Sequence, residues 1–191
     1  MRMDAKKALI LDSAKKSFAL FGYKATTMDH IAKIAAVGKA TIYSFFTNKE
    51  DLLREIVQGI IAEMRKAADE AIGKGTTSSE RIHEALYAIL IFRKEHELLI
   101  QLSHEAQQFG NPITAEVLGS IETEVVNYIS EHIERGIAAG TMKACDPKLT
   151  AFLILKLYVA LVFDWERQNE PLSNERVLEL LQLYFGNFLQ V

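Results

Sequence analysis

Apolar residues recur along almost the whole chain at intervals of three and four, the period of helices that bury one stripe. The first pattern runs from Asp4 to Phe21, with Ile10, Ala14, Phe18 and Phe21 on one face and Lys6, Lys7, Lys15 and Lys16 on the other; Gly22 stops it. Thr27 then reads as the N-cap of a short helix whose stripe is Met28, Ile31 and Ile34, filled in by Ala32 and Ala35. Asp29 adds negative charge near the positive end of that helix. After a break from Ala36 to Gly38, a third short helix from Lys39 to Phe46 sends Ile42, Phe45 and Phe46 to a core. Asn48 caps a fourth, which carries Leu52, Leu53, Ile56, Val57, Ile60, Ile61 and Met64 at helical spacing to about Ile72.

Gly73 to Ser79 reads as a linker, with Ser79 capping a helix to about Lys94. Glu97 to Gln108 is a shorter helix ended by Gly110 to Pro112, and Pro112 opens another to about Ile137, before Gly140 and the Asp146, Pro147 boundary. Leu149 to Gln168 and Val177 to Phe188 are apolar on nearly all sides, separated by a breaker from Asn169 to Asn174. A helix apolar all round must be buried all round. Two of these exceed what one small core hides, so they predict a homodimer interface, a four-helix bundle from two chains. The most apolar stretch, Ala151 to Phe163, contains Lys156 and is too short to span a membrane.

With 191 residues the chain fits one large or two small domains, and its three prolines favour helices. Net charge changes the picture more than size does. Residues 1–50 hold nine Lys/Arg against four Asp/Glu, a balance of +5, and the remainder thirteen against twenty-one, −8, which together make the −3 of the whole. A basic N-terminal module attracts phosphate, and an acidic body confines a polyanion to one end of the chain. Cys145 is the one cysteine, so an intramolecular disulfide is excluded and a reducing, cytoplasmic location is expected; no apolar leader segment is present.

On the third helix Lys39, Thr41, Tyr43 and Ser44 point away from the core, and lysine and hydroxyl side chains are the groups that donate to phosphate and base edges. Ile31, Val37, Lys39, Thr41, Ile42, Tyr43, Phe46, Lys49, Glu50 and Leu53, with Phe18, Gly22, Tyr23 and Thr27 before them, form a pattern that resembles the DNA-binding domain of TetR-family transcriptional regulators. The resemblance implies an all-α fold: an N-terminal three-helix helix-turn-helix DNA-binding domain at 1–48, and a C-terminal helical-bundle ligand-binding and dimerisation domain at 49–191. It implies a dimeric repressor released from an inverted-repeat operator in double-stranded DNA by a small-molecule effector, through a tilt of the fourth helix. Lys39, Ala40, Thr41, Tyr43 and Ser44 are expected at the major groove, with Thr27 and Lys49 on phosphates. The family usually has glycine where this chain has Ala36, and a small hydroxyl residue where it has Gly38. Either Ala36 holds a left-handed backbone at a cost of about 1 kcal/mol, or the glycine function has moved by two residues.

In the body, Tyr87, Phe92, His96, His104, Phe109, Tyr128 and Trp165 are aromatic and polar groups suited to an effector pocket, and the apolar surroundings lean toward a lipophilic ligand. Glu80 and His83 have the Glu-x-x-His spacing of helical di-iron proteins, but such sites need two units, and none of His30, His96, His104 or His132 follows a glutamate at that spacing. No cofactor, metal or catalytic motif is expected. The competing reading is a helical small-molecule carrier with a vestigial helix-turn-helix, which predicts no salt-dependent DNA binding.

Overall fold

The computed structural model describes residues 3–73, 75, 78–165 and 168–189. Among these the regular elements are helices: α1 (Met3–Phe21), α2 (Met28–Ile34), α3 (Lys39–Phe45), α4 (Lys49–Ile72), α5 (Ser78–Glu95), α6 (Glu97–Phe109), α7 (Pro112–Ala138), α8 (Pro147–Val159), a π-helical turn (Ala160–Asp164) and α9 (Asn174–Leu189). The expected caps are in place where side chain and backbone lie close in sequence. Thr27 Oγ1 accepts from His30 N at 3.2 Å and Asn48 Oδ1 from Asp51 N at 2.8 Å; at the boundary expected at Asp146 and Pro147, Asp146 Oδ1 also accepts from Leu149 N at 2.9 Å. The linker at 73–79 lies partly outside the described residues, and α5 starts at Ser78, one position before the expected cap.

The chain divides into two compact units: residues 1–63 with 93–121, and residues 64–92 with 122–191. The cut runs through α4 and α7 rather than at residue 48, so α6 belongs to the same unit as the three N-terminal helices.

In the first unit α1 packs on α2 and α6, and α2 packs on α3. Ile10, Ala14, Phe18, Ile31, Ile42, Leu52 and Leu53 are buried here, together with Leu98, Leu99 and Leu102 of α6. Each such aliphatic or aromatic side chain contributes about 1.5–3 kcal/mol on burial. Three expected core positions differ. Phe21 is 54% exposed and leans on the His30 ring at 5.3 Å, Ile34 is 44% exposed, and Phe45 is half-buried. Each is the last residue of its helix, where the stripe rotates off the core before the chain turns.

In the second unit α8 packs on α9. Ala151, Ile154, Leu155 and Tyr158 of α8 and Val177 and Leu181 of α9 are buried, while Leu149, Phe152 and Leu153 and then Leu183 and Tyr184 stay exposed. The two helices thus have an inner stripe in this unit and an outer apolar stripe on the chain's own surface. The long helix expected to reach Gln168 instead leaves α-geometry at Ala160 and becomes π-helical. No helix among the described residues is long and apolar enough to cross a membrane.

Candidate functional site

The turn between α2 and α3 decides how α3 is presented. Ala36 has φ +51°, the left-handed region that side chains disfavour, whereas Gly38 has φ −69° and needs no glycine. Val37 N donates to Ala32 O at 3.0 Å and Ala36 N to Lys33 O at 3.2 Å, the paired bonds of a Schellman helix end with Ala36 at its left-handed position. The glycine role has therefore not moved to Gly38. Alanine carries it under strain.

On this scaffold the expected contact residues fall into three kinds. Ala40, Tyr43 and Ser44 are exposed, with Tyr43 at 46%, and Thr41 is half-buried; Ser44 Oγ donates back to Thr41 O at 2.7 Å. Thr27 is exposed and accepts from His30 N, which leaves its own O–H to donate. Lys39 is paired: its Nζ donates to Asp29 Oδ2 at 2.9 Å, tying α3 to α2, and that hydrogen bond raises its pKa. Lys49 is different again. Its ammonium donates to Tyr23 O at 2.6 Å and Thr26 O at 2.8 Å, with Lys24 O at 3.4 Å, and lies 4.3 Å from the Tyr23 ring centroid. Burial lowers its pKa. Lys49 thus braces the turn between α1 and α2, and its donors are spent on carbonyls rather than held out for phosphate.

The same turn is held from α6. The carboxyl of Glu105, buried in the unit, accepts from Lys24 N at 3.3 and 3.4 Å. Gly22 has φ +83°, and a Cβ there would overlap the Glu105 carboxyl, so both backbone conformation and space require glycine. Beneath the turn, Thr26 Oγ1 donates to Gly22 O at 2.8 Å and lies 3.2 Å from Ser17 Oγ. Nothing in the local sequence marks Glu105; its partner is 81 residues away.

The seven residues expected to line an effector pocket are divided between the two units. His96, His104 and Phe109 belong to the first unit. His96 precedes α6, its Nε2 3.8 Å from Glu63 Oε2; His104 is exposed; Phe109 is 67% exposed, with Lys24 Nζ 6.0 Å from its ring centroid. Tyr87, Phe92, Tyr128 and Trp165 belong to the second. Tyr128 is buried and donates to Asp69 Oδ1 at 2.7 Å; burial raises its pKa first and the Asp69 hydrogen bond next. Trp165 is exposed and its indole N–H donates to Glu170 O at 3.2 Å. Tyr87 and Phe92 are half-buried on α5.

Tyr87 leads to a pair the sequence did not single out as a ligand site. It stacks on His83 with centroids 6.1 Å apart and rings 13° from parallel, and His83 in turn meets Tyr158 of α8 at 6.0 Å. His83 and Tyr158 are both buried, and neither His83 Nδ1 nor the Tyr158 hydroxyl has a hydrogen-bond partner among the described residues. An orphaned polar group of this kind costs about 1–3 kcal/mol. Burial lowers the His83 pKa, opposed by Glu84 and Glu175, and burial raises that of Tyr158, so both are neutral at pH 7. The described residues contain no group of three or more His, Cys, Asp or Glu that could hold an ion.

Comparison with known proteins bears on both units. Residues 10–56 match the family model described as bacterial regulatory proteins, tetR family, and residues 75–185 match one for the tetracyclin repressor-like C-terminal domain. The chain is 51% identical over 184 residues to the HTH-type transcriptional regulator YhgD of Bacillus subtilis (strain 168), covering 96% of each protein. It is 27% identical over 179 residues to the fatty acid metabolism regulator protein of the same strain, covering 90% of this chain and 91% of that one. Among solved structures, the flavonoid-responsive regulator FrrA superposes with a TM-score of 0.75 at 22% identity, over 97% of this chain and 98% of the other.

Proposed function

The chain belongs to the tetR family of bacterial regulatory proteins, dimeric DNA-binding transcriptional regulators that answer to small-molecule effectors, and we propose that its α3 enters the major groove of an inverted-repeat operator to repress transcription. The observation that carries this reading is the helix-turn-helix itself: a strained but intact Schellman turn that presents Lys39, Ala40, Thr41, Tyr43 and Ser44 on a basic module. Tyr43 and Ser44 reach backbone oxygens at the groove edge, Ala40 and Thr41 meet thymine methyl groups, and the free Thr27 O–H holds a phosphate at the start of α2. Lys39 exchanges Asp29 for phosphate on binding. Lys49 supports the turn and leaves the contact set.

Residues 1–48 serve as the DNA-binding module and 49–191 as the regulatory and dimerisation part. The outer apolar stripe of Leu149, Phe152 and Leu153 on α8, with Leu183 and Tyr184 on α9, is the surface that a second copy covers. Two recognition helices then address successive major grooves, about 34 Å apart. Effector binding to the body changes that spacing and releases the operator. The effector is lipophilic, a reading supported by the apolar body and by a relative whose name is fatty acid metabolism regulator protein. The protein acts in the cytoplasm and carries out no catalysis.

The deciding experiment is retention of DNA fragments, including the region beside the protein's own gene, at two salt concentrations. Selective, salt-sensitive retention of a fragment with an inverted repeat is the expected outcome, weakened in Tyr43→Ala. No retention of any fragment by ligand-free protein sinks the repressor reading.

A further inference from the structure

His83 lies on α5 and Tyr158 on α8, both within the second unit, and their rings meet with centroids 6.0 Å apart. His83 Nδ1 and the Tyr158 hydroxyl are sealed from solvent with no partner among the described residues, although buried polar groups are almost always paired. Tyr87 also stacks on the imidazole. One residue beyond α8's last position, the helix carrying Tyr158 becomes π-helical at Ala160–Asp164, a distortion frequently found at functional sites. Two orphaned polar atoms beside an aromatic ring in an apolar core, with a helix distortion just beyond them, are features of a binding site for a small apolar molecule with one polar atom.

We propose that His83 and Tyr158 are the polar anchor for the effector, and that the effector is a neutral, mainly apolar molecule bearing a carbonyl or hydroxyl oxygen. This rests on the reading of the body as an effector-binding domain and names the chemistry that its site selects. The phenol donates to the ligand oxygen, and the imidazole supplies a second hydrogen bond through Nδ1, as donor or acceptor according to tautomer. A carboxylate is disfavoured. Among the described residues the charged groups acting on the pair are Glu84 of α5 and Glu175 of α9, both acidic, which opposes an anion.

The test uses the full-length protein and three probes of equal chain length: methyl decanoate, 1-decanol and sodium decanoate, titrated by calorimetry at pH 7.5. At least one neutral probe binds, decanoate binds at least about tenfold more weakly, and Tyr158→Phe and His83→Phe each weaken the neutral probe by about tenfold, the scale of one hydrogen bond. Without probe, both variants melt at a higher temperature than the parent, because an unpaired buried polar group has been removed. A pair bridged by structural water gives the opposite result: a lower melting temperature and unchanged probe affinity, which overturns the proposal. Binding of decanoate as tight as the ester, or no binding of either neutral probe, overturns it as well. Operator retention by the same preparations separates the two levels. If the parent retains the operator while probe affinity ignores His83 and Tyr158, the anchor is wrong and the repressor reading stands; if ligand-free parent retains none, the repressor reading is wrong.

Discussion

Ala36→Gly is expected to stabilise the protein, the reverse of the usual sign for alanine to glycine. At φ +51° the alanine Cβ crowds the neighbouring backbone, which costs an L-residue roughly 1–2 kcal/mol relative to glycine. Glycine in turn gives the unfolded chain more freedom, worth about 0.4–1 kcal/mol against folding. The residue is exposed and its Schellman bonds use backbone atoms alone, so the substitution removes no hydrogen bond. The balance is a gain of about 0.5–1 kcal/mol, which for a chain of 191 residues raises the melting temperature by about 1–4 °C. The assay is thermal unfolding of parent and variant at matched protein concentration, since association shifts the midpoint of a dimer. Ala40→Gly in α3 is the internal control: there the backbone is helical, and the same chemical change costs about 0.5–1 kcal/mol. If Ala36→Gly lowers the melting temperature as Ala40→Gly does, the left-handed assignment of residue 36 is refuted and the turn must be reconsidered.

Three further outcomes follow from the same geometry. Asp29→Asn removes the partner of Lys39 and a negative charge beside the groove-facing helix, so affinity for non-specific duplex rises several-fold at low salt and the gain shrinks as salt is added, measured by fluorescence anisotropy. Lys49→Met lowers stability by about 2 kcal/mol in urea titration by leaving the Tyr23 and Thr26 carbonyls unpaired, while the salt slope of operator binding stays the same; a slope reduced by about 0.9 would instead make Lys49 a phosphate ligand. Acidification destabilises the fold through His83. Its folded pKa lies below the unfolded value of about 6.5, so the unfolded state binds more protons, and stability is full above that value and falls as pH drops below it; the urea midpoint falls less between pH 7.5 and 5.5 in His83→Phe than in the parent.

What the sequence made legible was local. Thr27, Asn48 and Asp146 are caps because each side chain meets an amide a few residues along, and spacing alone locates such contacts. The helix-turn-helix was legible for the same reason, and its strain at Ala36 stood out against the glycine usual in the family. Lys49, Glu105, His83 and Tyr158 were not, because their roles come from partners far along the chain. A lysine in the first turn of α4 reads as a phosphate contact until Tyr23 and Thr26 come round beneath it. Tyr158 sits in an apolar run where a phenol looks like any core aromatic, and its missing partner is visible only once the helices are packed. Two of the pocket residues chosen by type have polar partners that the sequence did not reveal: Tyr128 in Asp69 and Trp165 in the Glu170 carbonyl.

The Lys24 peptide group is where long-range contacts converge on the DNA-binding module. Its N–H is held by Glu105 of α6 and its carbonyl faces the Lys49 ammonium of α4, so the turn that feeds α2 takes its orientation from two helices that follow the motif in sequence. A repressor needs its DNA affinity to depend on the state of its body, and that requires contacts that differ between states. Chain order supplies a route: α5, which carries His83 and Tyr87, passes through His96 directly into α6, which carries Glu105. Glu105→Gln keeps a carbonyl oxygen for the Lys24 amide but removes charge and weakens the hold. Operator should weaken effector binding by the same factor that effector weakens operator binding, and in Glu105→Gln that factor should shrink while methyl decanoate affinity of the DNA-free protein stays at the parental value. A factor equal to the parent's confines Glu105 to folding and places the coupling in another contact of α6 or in α4.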